Sequence, residues 1–178
     1  MGSIPQGEWL QLKLFASGQS SAAPDVTGSP DKLHLEHFVP YRLSVLTNIV
    51  SMSIADAYER EFGLTIPQWR VIAVLARYPG LSAIEVAERT AMDKVAVSRA
   101  VQGLLAARRL VRSYDAGDRR RTRLRLSSAG KSVYTRVAPL ALTYEKKLLD
   151  ALSPTDRKAL DRLLGRLVSR ARTMARSG

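Results

Sequence analysis

The chain has 178 residues, 46% of them hydrophobic, which is enough for one compact domain with a core of its own. Twenty-eight Lys and Arg stand against sixteen Asp and Glu, and the resulting net charge of +12 asks for a polyanionic partner, nucleic acid first. The absence of cysteine excludes disulfide scaffolds, thiolate metal sites and cysteine nucleophiles, and two histidines, His34 and His37, leave little for a zinc centre. No apolar run approaches the ~18 residues of a membrane span, and the N-terminus lacks a basic region followed by an apolar stretch, so the expected location is the cytoplasm.

The positive charge is localised. Residues 93–125 carry ten basic and three acidic side chains, whereas residues 1–60 carry four and six. Its peak is the run Arg119-Arg120-Arg121. A charge run is by default a solvated face, but this one lies beside a helix signal.

In chain order, residues 1–32 become rich in Ser, Gly, Ala and Pro after Leu14 and read as an irregular arm. From Val39 to Phe62, Val39, Leu43, Leu46, Val50, Ile54 and Ala57 recur at three and four residue spacing, with Pro40 placed for a first helical turn. Thr65-Ile66-Pro67-Gln68 is a capping box that opens a second helix to Arg77, stopped by Pro79-Gly80. Ser82-Ala83-Ile84-Glu85 opens a short third helix to about Arg89, and Asp93 caps a fourth, with Val97, Val101, Leu104 and Leu105 on one face.

The period then changes from 3.6 to 2. Thr122, Leu124 and Leu126 alternate with Arg121, Arg123 and Arg125, and Leu110 to Tyr114 is a plausible antiparallel partner across Asp115-Ala116-Gly117-Asp118. Ser127 caps a long helix to about Ala151, expected to be interrupted at Pro139. Ser153-Pro154-Thr155-Asp156 caps the last helix, with Leu160, Leu163, Leu164 and Leu167 as its stripe. The fold class is mainly α with a small β-hairpin wing: arm 1–32, first helix 33–64, winged helix-turn-helix region 65–126 and C-terminal helices 127–178.

In a winged helix-turn-helix the second helix enters the major groove and the hairpin reaches phosphates or the minor groove. On the fourth helix Val95, Arg99, Gln102 and Ala106 point away from the apolar stripe, flanked by Ala96 and Ser98. Arg99 can donate a fork to guanine, Gln102 can pair with adenine, Ser98 suits a phosphate or base edge, and Lys94 suits a phosphate.

Three stretches resemble the MarR-type transcriptional regulators: Leu81-Ser82-Ala83-Ile84-Glu85-Val86-Ala87, Met92-Asp93-Lys94-Val95-Ala96-Val97-Ser98-Arg99, and Asp115-Ala116-Gly117-Asp118-Arg119-Arg120-Arg121 followed by Leu126-Ser127-Ser128-Ala129-Gly130. The resemblance covers roughly residues 33–170. It implies that Asp118 holds a wing arginine while Arg120 or Arg119 enters the minor groove, that the protein is a homodimer through its first and last two helices, and that a small-molecule pocket separates dimerisation and DNA-binding parts. The dimer is also physically reasonable, because those helices carry more apolar stripe than one small domain can cover.

Arg42 shares a face with Phe38, Val45, Ile49 and Met52, a row whose spacing points inward, and a buried guanidinium needs a carboxylate. That carboxylate is either internal, Asp56 or Glu36, or belongs to an aromatic acid lying against Trp69 or Tyr41, with His37 adding a hydrogen bond. The resemblance favours the second, since aromatic carboxylates are common ligands of that family.

The sequence has no paired-carboxylate motif, glycine-rich phosphate loop or nucleophile triad, so a non-enzyme without cofactor or metal is expected. The expected function is a sequence-specific DNA-binding regulator, a repressor released from a palindromic operator by a small aromatic carboxylate. The alternatives are an effector-independent DNA-binding or architectural protein and, from Arg162, Arg166, Arg170 and Arg176 along the last helix, a membrane-surface protein. The leucine stripe opposite those arginines is better suited to a dimer.

Overall fold

A computed structural model describes residues 33–114 and 122–177. The expected N-terminal arm and the expected wing tip with Asp118, Arg119, Arg120 and Arg121 lie outside the described residues. The chain divides into two compact units, Met1–Leu43 and Ser44–Gly178. In the first, the amides of His37 and Phe38 both donate to the His34 carbonyl, at 3.1 and 3.0 Å, in a turn that leads into helix α1 (Val39–Phe62). The described residues of this unit are exposed.

The second unit continues α1 and adds α2 (Ile66–Arg77), α3 (Ala83–Thr90), α4 (Lys94–Ala106), the hairpin β1 (Leu110–Tyr114) and β2 (Thr122–Leu126), α5 (Ser128–Leu149) and α6 (Pro154–Ser177). Helix starts follow from local chemistry. The Gln68 amide donates to Thr65 Oγ1 at 3.4 Å while the Thr65 amide donates to Gln68 Oε1 at 3.0 Å, so two of the amides a helix N-terminus leaves orphaned are satisfied reciprocally. Ser82 and Glu85 repeat the arrangement at α3, at 2.7 and 3.3 Å. The core forms where apolar faces meet: Val71, Ile72 and Leu75 of α2, Val86 and Ala87 of α3, Val97, Ala100, Val101 and Leu104 of α4, Leu110, Leu124 and Leu126 of the hairpin, and Val133 and Val137 of α5.

The hairpin is antiparallel with Leu110 opposite Leu126, Arg112 opposite Leu124 and Tyr114 opposite Thr122. Its base belongs to the core, and its outer half, with Arg112 and Tyr114, is exposed. Leu124 is also held on its other side, donating to the Leu81 carbonyl at 2.9 Å and accepting from the Gly80 amide at 2.8 Å, which ties the wing to the segment that opens α3.

Helix α5 is not interrupted at Pro139 but runs through it. A proline inside a helix removes one backbone donor. Pro139 is exposed, where water can serve the freed carbonyl, while Val133 and Val137 fix the preceding turns in the core.

Three helices keep uncovered apolar faces: Leu46, Ile49 and Met52 on α1, Leu140, Leu142 and Leu148 on α5, and Leu163, Leu164, Leu167, Val168 and Met174 on α6 are all exposed, and α6 buries no residue. The expected inward row of α1 is therefore not inward in the single chain. Phe38, Ile49 and Met52 are 40%, 42% and 57% exposed, Val45 is half-buried, and Arg42 is exposed. A guanidinium in water does not require an internal carboxylate, so the burial argument for its partner fails. Among the described residues no helix is long and apolar enough to cross a membrane.

Candidate nucleic-acid interface

Helices α3 and α4 are joined by a tight turn. Ala91 adopts a left-handed conformation (φ 53°), which ends α3, and the Asp93 carboxylate then accepts hydrogen bonds from the amides of Val95 (2.8 Å) and Ala96 (3.1 Å). The cap both satisfies the N-terminal amides and places a negative charge at the positive end of the helix dipole.

Because Val97, Ala100, Val101 and Leu104 bury one side of α4, the opposite side is fixed. Val95, Arg99, Gln102 and Ala106 are exposed on it, with Val95 at 55%; Ser98, exposed, and Ala96, half-buried, flank it, and Lys94 is exposed in the first turn. This face presents a fork donor, an amide, a hydroxyl and an ammonium without a carboxylate among them, a set that can address base edges and phosphates.

On β2 the two described arginines differ in surroundings. Arg123 is half-buried and its Nη1–H donates to the Gly80 carbonyl at 3.2 Å, fastening the wing base; Arg125 is exposed. Sequence alternation placed both on one face but did not separate the anchor from the exposed cation.

Helices α1 and α2 line a half-open recess of about 120 Å³ formed by Ser51, Ile54, Tyr58, Ile66, Trp69 and Arg70. Trp69, expected as a ligand contact, is on its wall. Its ring lies 5.8 Å from that of Tyr58 and 6.1 Å from that of Tyr134, nearly parallel to the latter at 20°. Arg70 Nη2–H donates to Ser51 Oγ at 3.1 Å. Burial pushes the Tyr58 phenol up to about 12, with Arg70 opposing and Glu59 adding to the rise.

The sequence reading missed Arg70. The signal was present in two helical stripes, Ser51-Ile54-Tyr58 and Ile66-Trp69-Arg70, that mix one cation with aromatic and aliphatic side chains. Arg42, Tyr41 and His37 belong to the first unit and are exposed there.

The MarR family model matches residues 62–121, which run from the end of α1 to the wing. The fold is similar to that of a MarR/EmrR family transcriptional regulator from Acinetobacter sp. ADP1, with a TM-score of 0.73, 24% identity and coverage of 79% of this chain and 99% of that one. Residues 62–121 are a MarR-family segment, and the described elements have the MarR-type winged helix-turn-helix fold. A MarR family transcriptional regulator from Silicibacter pomeroyi DSS has the same architecture (TM-score 0.68, 27% identity, 80% of this chain and 93% of that one). So does BpsR from Bordetella bronchiseptica, described for the regulation of its DNA binding by 6-hydroxynicotinic acid (0.68, 23%, 77% and 97%). No curated protein sequence matches the chain. The family match is confined to residues 62–121, whereas the likeness of fold to these structures extends over 77–80% of the chain.

Proposed function

We propose that this chain is a sequence-specific DNA-binding transcriptional regulator of the cytoplasm, a homodimer that represses from a palindromic operator and is released by a small aromatic carboxylate. One observation carries the DNA-binding part: α4 turns Lys94, Val95, Ser98, Arg99 and Gln102 outward together, next to an arginine-rich hairpin. Phosphate contacts from the wing, with Arg119, Arg120 and Arg121 steadied by Asp118, would supply affinity through counterion release, and the outward side chains of α4 would supply selectivity. The uncovered apolar faces of α1, α5 and α6 support the dimer, since a monomer exposing that much apolar surface would associate.

The effector part is supported by the recess. At about 120 Å³ the recess is smaller than the roughly 150 Å³ cavity that holds benzene, but it is open on one side, so a single-ring acid would enter it in part and leave the rest of the molecule outside. Trp69, half-buried on the wall, offers a face to such a ring above the covered Tyr58, and Arg70 offers a carboxylate fork. Arg42, Tyr41 and His37 remain candidate contacts in the assembled dimer. That 6-hydroxynicotinic acid regulates DNA binding by BpsR gives the chemistry a precedent in a protein of this fold.

Selection of duplexes from a random library, followed by titration of the winners with and without aromatic acids, tests the proposal. Recovery of an inverted repeat whose binding weakens on addition of an acid is expected; failure to enrich any duplex rejects DNA recognition, and enrichment that no acid disturbs leaves an effector-independent regulator.

A further inference from the structure

Helix α4 ends in a tightly defined turn. The Arg109 amide donates to the Leu104 carbonyl (2.8 Å) and the Arg108 amide to the Leu105 carbonyl (2.9 Å), with Arg108 left-handed at φ 54°. These are the two bonds of a Schellman motif, so the place of Arg109 is set by the last turn of the recognition helix. The carbonyl of Arg109 accepts from the amide of Ser127, the N-cap of α5, at 3.0 Å. Its guanidinium crosses 47 residues of sequence, and Nη2–H donates to the Phe62 carbonyl at 2.5 Å.

That carbonyl closes α1. It belongs to the last turn, whose carbonyls have no partner within the helix, and a cation is favoured there by the helix dipole. Arg136 of α5 holds the same end from another side. Its guanidinium lies 4.9 Å from the centre of the Phe62 ring and pairs with Glu61. A single residue, Arg109, thus joins the ends of α1 and α4 to the start of α5.

We infer that Arg109 is a positioning residue for DNA recognition: it fixes the tilt of α4 relative to α1, the helix that also lines the recess four residues earlier through Tyr58. Four residues of helix are about 6 Å, so a displacement of α1 at Tyr58 reaches the Arg109 bond with little room to be absorbed. The inference rests on the DNA-binding reading for its consequence, not for its geometry. Loss of the guanidinium releases the tilt and makes the recognition helix less selective, while the phosphate-driven part of binding persists.

The lack of cysteine makes the test direct. Spin labels at Ala57→Cys on α1 and Ala106→Cys on α4, both exposed positions, report the distance between the helices when labelled chain is diluted into excess unlabelled chain. A narrow distance distribution is expected with Arg109, a broadened or shifted one in Arg109→Met, and a return towards the first in Arg109→Lys, which keeps a donor. In parallel, the ratio of affinities for library-selected duplex and random duplex should fall about tenfold in Arg109→Met, with random-duplex affinity within twofold. An unchanged distribution and ratio in a folded Arg109→Met protein overturns the inference. If that variant unfolds, Arg109→Gln, whose shorter stem cannot span to Phe62, is read by the same two measurements. A wild-type chain that selects no duplex rejects the DNA-binding reading, and the label distances still decide whether Arg109 sets the tilt.

Discussion

The backbone carbonyl of Arg109 occupies the place where a side chain on Gly130 would begin. A Cβ built on Gly130 would collide with that oxygen and stand only 3.1 Å from its carbon, and both atoms belong to backbone that α4, β1 and α5 all hold. Gly130 is also bound locally, donating to Ser127 Oγ at 3.0 Å, while that hydroxyl donates to the Arg108 carbonyl at 2.7 Å. Neither side of the contact can retreat without breaking a helix cap.

Gly130→Ala is therefore expected to destabilise the fold by roughly 3 kcal/mol, the upper part of the usual overpacking range, because the obstacle is backbone rather than a mobile side chain. Urea unfolding checks it. A midpoint within experimental error of wild type would mean that α5 starts farther from Arg109 than the structure places it.

Tyr58 gives a pH signature. Its phenol is fully covered, and burial raises its pKa from 10.0 to about 12. In the unfolded chain the same group loses its proton near 10, so the folded state binds protons more tightly above that pH. The stabilisation is complete below pH 10 and is lost as pH rises towards 12, at up to about 1.4 kcal/mol per unit. Tyr58→Phe removes this component. The wild-type chain should lose more stability than Tyr58→Phe between pH 9.5 and 11.5, and parallel losses would place the phenol in water.

Much of this architecture was legible because its signals are local. The capping boxes at Thr65 and Ser82 need residues three apart, and the alternation of Arg123 and Arg125 with Leu124 and Leu126 needs neighbours only two apart. The outward face of α4 followed from its apolar stripe. What escaped is non-local: the Arg109–Phe62 bond spans 47 residues and the Arg70–Ser51 bond 19, and no periodicity encodes either. Arg42 shows the limit from the other direction, since spacing identifies an apolar row on α1 but not whether this chain or a second copy covers it. Pro139 was read from its own chemistry, while the helix around it is set by packing at Val133 and Val137.

Base reading and phosphate binding separate by variant. If Arg99 and Gln102 face base edges, alanine at either position should cost about 1–3 kcal/mol at a library-selected site and little on random DNA. Arg120→Ala at the wing should weaken binding to both and reduce the slope of log affinity against log salt by about one. Fluorescence anisotropy across a salt series distinguishes them. Equal losses on selected and random DNA for Arg99→Ala would make that side chain a phosphate contact.

The last expectation concerns which arginine receives an effector carboxylate. Arg70 stands in the recess with Trp69 and Tyr58 and is held by Ser51, whereas Arg42 is exposed in the single chain and depends on a second copy for any enclosure. A hydrogen bond from a charged group is worth about 1.5–3 kcal/mol, so losing a guanidinium that clamps the acid should weaken its binding roughly 10- to 100-fold. An acid releases DNA only to the extent that it binds the DNA-incompetent arrangement more tightly, so the same loss must appear in the response of operator binding. With 4-hydroxybenzoic and 6-hydroxynicotinic acids as probes, Arg70→Gln is expected to move both the thermal shift and the release from DNA to roughly 10- to 100-fold higher acid concentration while leaving acid-free DNA affinity within a few fold. Arg42→Ala, compared side by side, should weaken the response less than Arg70→Gln does. The reverse pattern, with Arg42→Ala silent and Arg70→Gln responsive, would move the carboxylate to the dimer side of α1 and leave the recess without a ligand.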